Sequence, residues 1–224
     1  MSWVWGVPAF LLGAMWWTVW EYGLHRFMFH ERRGRNLGSR LHLDHHARAT
    51  WIFDPHILLA WFGVLLTGVG WAWAATQVSS LLLDVVGTDK RDGLASSIGI
   101  GFGAGWTVHY FFYEWHHRAA HLRAPKNRWE RFVRKHHLHH HFGHPMRNQG
   151  VTVNWWDRVA GTLDQPDVVR VPRRLAPRWM LDTNGEILAA FRDDYILIGQ
   201  AVVTAPDKAA EDHDRAYANL VPLP

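Results

Sequence analysis

Three stretches of the chain hold no charged residue, and they give its first outline. Residues 2–20 read "SWVWGVPAFLLGAMWWTVW", residues 57–75 "ILLAWFGVLLTGVGWAWAA" and residues 93–113 "GLASSIGIGFGAGWTVHYFFY". A helix rises ~1.5 Å per residue, so about 20 apolar residues cross a hydrocarbon core ~30 Å thick. Trp and Tyr crowd the ends of these runs, as side chains do where lipid meets water. Each run therefore predicts a membrane-embedded helix. "VSSLLLDVVG" at 78–87 is too short to span alone; it lies at the interface or lengthens one arm of the hairpin formed by the second and third runs. The glycines of "GIGFGAG" recur four apart, as Gly99/Gly103 and Gly101/Gly105, a spacing that lets membrane helices approach closely. Read as a dinucleotide fingerprint, the same glycines lack a preceding strand and a following acidic partner.

Between the runs the chain is polar and basic. "ERRGRNLGSR" follows the first run, and residues 118–147 hold Arg118, Arg123, Lys126, Arg128, Arg131, Arg134, Lys135 and Arg147 against Glu130 alone. The positive-inside tendency puts both segments in the cytoplasm, with "TDKRDG" at the far turn of the hairpin. The formal charge of +4 is unevenly spread: residues 1–163 carry a net +7 and residues 164–224 a net −3. Interleaved with apolar runs, this charge fits a membrane protein and gives no reason to expect nucleic acid as a partner. The chain is thus expected to be an all-α, integral-membrane bundle of three to four embedded helices with a cytoplasmic helical cap. Residues 1–163 would form that domain, and residues 164–224 a cytoplasmic tail packed on the cap, ending in a loose "APDKAAEDHDRAY".

The chemistry lies in histidine. The chain has 17 and no cysteine, so any metal must be held by nitrogen and oxygen. Four clusters punctuate it: His25 and His30 in "HRFMFH"; His42, His45 and His46 in "HLDHH"; His117 and His121 in "HHRAAH"; and His137, His140 and His141 in "HLHHH". Protonated, so many imidazoles would repel one another. Neutral and buried, each has a bare nitrogen to satisfy, and a metal ion satisfies it. Helical spacing aims each HxxHH box at one point and lets His117 and His121 clamp one ion. His25 and His30 diverge by ~140° on an ideal helix of 3.6 residues per turn, so the helix is expected to end or bulge between them. Ten ligands suffice for two metals. Glu21, Asp44, Glu114, His136 and Asp157 lie near the boxes and are expected to orient the imidazoles from behind. For His56, His109, His116, His136, His139 and His144 hydrogen bonding, packing or solvent is the simpler reading, and His213 stands apart in the tail. Imidazole accepts zinc, copper, iron and nickel alike; zinc would imply hydrolysis or structure, iron oxygen chemistry.

In order, spacing and membrane setting the boxes resemble the fatty acid hydroxylase / sterol desaturase superfamily of integral-membrane di-iron enzymes. The resemblance runs from about residue 21 to residue 162. It includes "YEWHHRAAH", with Tyr113, Glu114, His117 and His121 at matching places, and the ending "GVTVNWWDRVAGT". It implies two iron ions, with zinc able to replace them in a purified sample, and hydroxylation or desaturation of an unactivated C–H bond of a lipid by O2. Substrate would enter from the bilayer. Electrons would come from a separate ferredoxin- or cytochrome-type donor, since the chain lacks the "HPGG" haem motif. The protein would be multi-pass, with its boxes on the cytoplasmic side. Members commonly have four passes, whereas three runs are visible, and the last sixty residues lie outside the match. A carotenoid hydroxylase shares similar boxes but fits less well after the last one. The reading from another class, a zinc-dependent membrane hydrolase, would use Glu114 as general base.

Overall fold

The computed structural model describes residues 2–51, 53–87 and 93–199. It is mostly helical: α1 (Gly6–Gly23) runs directly into a π-helix (Leu24–His30), followed by α2 (Leu37–Arg48), α3 (Ile57–Val85), α4 (Leu94–Leu122), α5 (Arg128–Phe142) and α6 (Trp155–Val159). Two short strands, β1 (Val169–Pro172) and β2 (Tyr195–Ile198), complete it. The chain divides into two compact units, Met1–Val19 with Phe53–Glu114, and Trp20–Ile52 with Trp115–Pro224.

The first unit contains the three uncharged runs. They lie on α1, α3 and α4, and "VSSLLLDV" proves to be the end of α3, which continues unbroken to Val85. Among the described residues α3 alone is long and apolar enough to cross a membrane, with only 6% of its most apolar stretch buried. Leu58, Leu59, Phe62, Leu65, Leu66 and Val69 all face outward. Such a coat has no favourable place in water and suits hydrocarbon, which marks the chain as a membrane protein.

The glycine spacings of α4 do what their period implies. A Cβ at Gly99 or Gly103 would collide with α3, at 2.4 Å from the Ala72 and Gly68 carbonyl oxygens respectively. A Cβ at Gly101 or Gly105 would meet α1, at 2.3 Å from the Gly6 oxygen and 1.9 Å from the Phe10 oxygen. Two residues apart on a helix is ~200°, so the two glycine pairs serve opposite neighbours. These glycines sit inside a helix, which excludes the dinucleotide loop. One tryptophan near a run end is a core residue instead: Trp17 is buried, its ring centroid 4.9 Å from that of Trp106, which is buried within the third run.

The second unit holds the π-helix, α2, the end of α4, α5, α6 and the described part of the C-terminal segment. That segment departs from a purely helical expectation. In "VRVP" the two valines are buried while Arg170 is exposed, and β1 pairs in parallel with β2, Val169 opposite Tyr195. Leu138 of α5 packs with Val169, Val171, Met180, Ile187, Phe191 and Tyr195 into one apolar core. Alternation over four residues was too brief to outweigh the Pro and Arg around it. Residues 88–92, where the hairpin turn was expected, the stretch 205–217 and His213 lie outside the described residues.

Candidate metal centre

The second unit brings all ten box histidines together, in two groups of five. His25, His30, His42, His46 and His140 form one; His45, His117, His121, His137 and His141 form the other, and within each group the ring nitrogens lie within 4.8 Å of one another. The groups adjoin, with the His46 ring stacked on that of His141 at 4.0 Å.

This partition corrects the expectation that each HxxHH box aims at one point. His42 and His46 serve the first group while His45 serves the second; His137 and His141 serve the second while His140 serves the first. Successive residues are ~100° apart on a helix, so the i, i+4 pair converges within ~40° while the residue between them diverges. Each box therefore stitches the two groups together. His25 and His30 both reach the first group because the backbone between them is a π-helix. Its i→i+5 hydrogen bonds make the fifth residue a neighbour on the next turn, which removes the divergence of an α-helix.

Both box helices are short and polar, and each starts on an asparagine. Asn36 Oδ1 accepts from Ser39 N at 2.7 Å, and Asn127 Oδ1 from Glu130 N at 2.8 Å, satisfying amides that have no partner inside the helix. Neither cap was singled out in the sequence.

Four imidazoles are fixed through Nδ1. His25 donates to the Gln149 carbonyl at 2.5 Å and His140 to the Arg147 carbonyl at 2.7 Å. His45 donates to the Thr50 carbonyl at 3.1 Å and His121 to the Ala49 carbonyl at 3.0 Å. A carbonyl only accepts, so the proton sits on Nδ1 and Nε2 carries a bare lone pair. Those lone pairs point at one another. Nε2 of His25 is 3.0 Å from that of His42, His30 is 2.9 Å from His42 and 3.0 Å from His140, and His46 is 3.1 Å from both His42 and His140. In the second group His117 lies 3.1 Å from His45 and His121 2.9 Å from His137. Protons could bridge pairs, but not five converging nitrogens. A cation can.

The electrostatics agree. Burial pushes the pKa of His25 and of His45 from 6.5 to about 4, opposed by their carbonyl partners. It holds His30, His42, His46, His117, His121, His137, His140 and His141 well below 6.5, with neighbouring imidazoles adding to the effect. Ten neutral rings are the form that ligates metal.

Of the residues expected to stand behind the imidazoles, Glu21 and Asp157 are buried and reach the centre through one turn of backbone. Glu21 accepts from the amides of Val151 and Thr152 and from Thr152 Oγ1. Burial pushes its carboxyl up to about 7, against those donors. Asp157 accepts from the amides of Gln149 and Gly150 and from Thr162 Oγ1. Burial would raise it, yet His136, those amides and Thr162 bring it below its ordinary value. His136 is buried 3.5 Å from Asp157 and joins neither group. Asp44 is half-buried on α2, and Glu114 belongs to the other unit. His139 pairs with Asp164, His56 with Asp54, and the His116 ring meets Trp129 edge-on. The partners the sequence did not reveal are the carbonyls of Ala49, Thr50, Arg147 and Gln149; a backbone oxygen leaves no mark in residue identity.

Known proteins share this pattern. A dihydroceramide fatty acyl 2-hydroxylase of Arabidopsis thaliana is 28% identical over 169 residues, 75% of this chain and 64% of that protein. A second from the same plant is 30% identical over 161 residues, 67% of this chain and 58% of its own length. The fatty acid 2-hydroxylase of Mus musculus is 28% identical over 171 residues, 70% and 40% of the two lengths. The chain thus spans less than two thirds of each of these relatives. No solved structure matches it. The model of the fatty acid hydroxylase family covers residues 10–162, from α1 past the last histidine box to the turn that braces it, and the chain belongs to that family.

Proposed function

We propose that this chain is an O2-dependent hydroxylase of a lipid acyl chain, acting through two iron ions held by the two groups of five histidines. The observation that carries the reading is the geometry of the bare nitrogens. Neighbouring Nε2 atoms stand 2.9–3.1 Å apart. For a metal–nitrogen bond of ~2.1 Å, that edge subtends ~90°, whereas a tetrahedral site needs ~3.4 Å. Donors at this spacing would suit a metal that accepts six-coordinate geometry better than a tetrahedral one, and five imidazoles would hold it in each group.

When bound, the irons supply the redox chemistry of R–H + O2 + 2e⁻ + 2H⁺ → R–OH + H2O. The chain's residues prepare for it. The carbonyls of Gln149, Arg147, Ala49 and Thr50 hold four Nδ1 protons outward, which fixes those rings and their Nε2 lone pairs before any metal arrives. Burial keeps the rings neutral and restricts bulk water, as an oxidising site requires. The apolar coat of α3 keeps the protein in the bilayer, where acyl chains reside. The relatives' names point to a fatty acyl or ceramide substrate hydroxylated at carbon 2. They do not favour carotenoid hydroxylation or zinc-dependent hydrolysis. A separate ferredoxin- or cytochrome-type protein delivers electrons on a cytoplasmic face where Arg118, Lys126 and Arg128 are exposed and would attract an acidic donor.

The test is mass spectrometry of acyl lipids from membranes containing the chain, supplied with reductant and ¹⁸O2. One labelled hydroxyl at carbon 2 is expected, with no product in the absence of oxygen. His140→Ala should lower metal content and cut product at least ~100-fold while the protein still reaches the membrane. Label entering from water, or full turnover after exhaustive chelation, would overturn the reading.

A further inference from the structure

Four successive amides, those of residues 149–152, converge on two buried carboxylates: the first two on Asp157 and the next two on Glu21. One peptide group in this turn is unusual. Its N–H, that of Gly150, donates to Asp157 Oδ2 at 2.8 Å; its C=O, that of Gln149, accepts from His25 Nδ1 at 2.5 Å. A single planar amide thus joins a carboxylate to an imidazole of the first group. Donation to an anion draws electron density toward the amide's own oxygen, and hydrogen bonds linked in this way strengthen one another. A more negative oxygen pulls harder on the Nδ1 proton, which makes Nε2 a better donor.

The local geometry is built for this contact. A Cβ at position 150 would lie 1.9 Å from the Val153 backbone oxygen and 3.1 Å from Asp157 Oδ2, so a side chain there would force the turn that presents this N–H to shift. Gln149 and Asp157 are fully buried, so water does not screen the link. His140 has no equivalent: the amide whose carbonyl it uses donates its N–H, that of Asn148, to the neutral Thr162 carbonyl at 3.0 Å. The Nδ1 partners found in the second group, at Ala49 and Thr50, lie in another segment, the turn that ends α2.

We propose that Asp157 is a positioning residue for the first group alone, acting on His25 through the Gln149–Gly150 peptide and raising that group's affinity for a metal ion. This rests on the reading that each group binds a metal. The experiment loads the full-length purified chain with zinc(II), counts bound metal and measures affinity by chelator competition. Wild type is expected to hold two equivalents. Asp157→Asn removes the anion but keeps an acceptor oxygen; one equivalent should weaken about 10- to 100-fold and the other stay unchanged. Thr152→Val disturbs the same turn by removing a donor to Glu21 but leaves Asp157 and the peptide link, so both equivalents should persist at wild-type affinity. Should Asp157→Asn be recovered unfolded, Asp157→Ser carries the same expectation. Two equivalents of undiminished affinity in the Asp157 variant, equal weakening of both, or a Thr152→Val variant that loses metal in the same way would overturn the proposal. A wild-type chain holding fewer than two equivalents overturns the two-metal reading, and the proposal falls with it.

Discussion

His25 and His45 show what burial does to an imidazole whose lone pair has no proton. Each stays neutral until the pH reaches about 4, whereas in the unfolded chain it protonates near 6.5. Between those values the unfolded state binds more protons than the folded one, so folding stability must fall as pH falls. The other eight box histidines are displaced in the same direction. The metal-free protein should therefore lose stability as pH drops below 6.5, and keep losing it to about pH 4 and beyond. Unfolding midpoints of the chelated protein in detergent, taken between pH 7.5 and 4.5, check this; a flat profile would contradict it. At this scale the sequence told most of what matters. All ten residues of the two groups were legible because they sit in four dense histidine clusters. The four carbonyls that hold Nδ1 were not, since any residue can present a carbonyl.

The box-bearing helix α5 needs support at its own start. Glu130 receives two bonds from the Arg123 guanidinium, at 2.7 and 2.8 Å, and lies 3.5 Å from Arg134, which is fully buried. The Arg123 contact leads in holding the Glu130 carboxyl down to about 2. Its contribution to stability is complete above the unfolded value of 4.5 and shrinks as pH falls toward 2. Glu130→Gln should cost ~3 kcal/mol at neutral pH, because it leaves the Arg134 charge buried without a counter-ion, and should flatten the acid limb of the stability profile. Denaturant titration of both proteins at pH 7 and pH 3 measures this. Elements were partly readable in advance. The apolar runs marked the helices and the glycine period marked close packing. The spacing of His25 and His30 required an irregularity, but that it is a π-helix depends on both rings being drawn to one group. The β1–β2 pair escaped notice because its partners are 26 residues apart.

For the whole molecule, membrane residence rests on α3. Leu66 is 62% exposed and touches little protein, so in a soluble protein Leu66→Arg would be nearly silent. At the centre of a membrane helix it costs ~2.5–3.5 kcal/mol. The variant should shift from the membrane fraction toward aggregate or degradation, and normal membrane recovery would count against α3 as a span. The expected orientation rests on charge distribution and the expected number of passes on the apolar runs; accessibility of tagged loops tests both.

The sequence by itself determined the candidate ligand residues, the absence of thiolate and the apolar helices, because each depends on residue identity and on periods of a few residues. Tertiary structure decided which imidazole joins which group, which carbonyl fixes each ring, and where the carboxylates act. Those outcomes depend on ring directions from separate segments meeting within about 3 Å, a distance that no local spacing encodes.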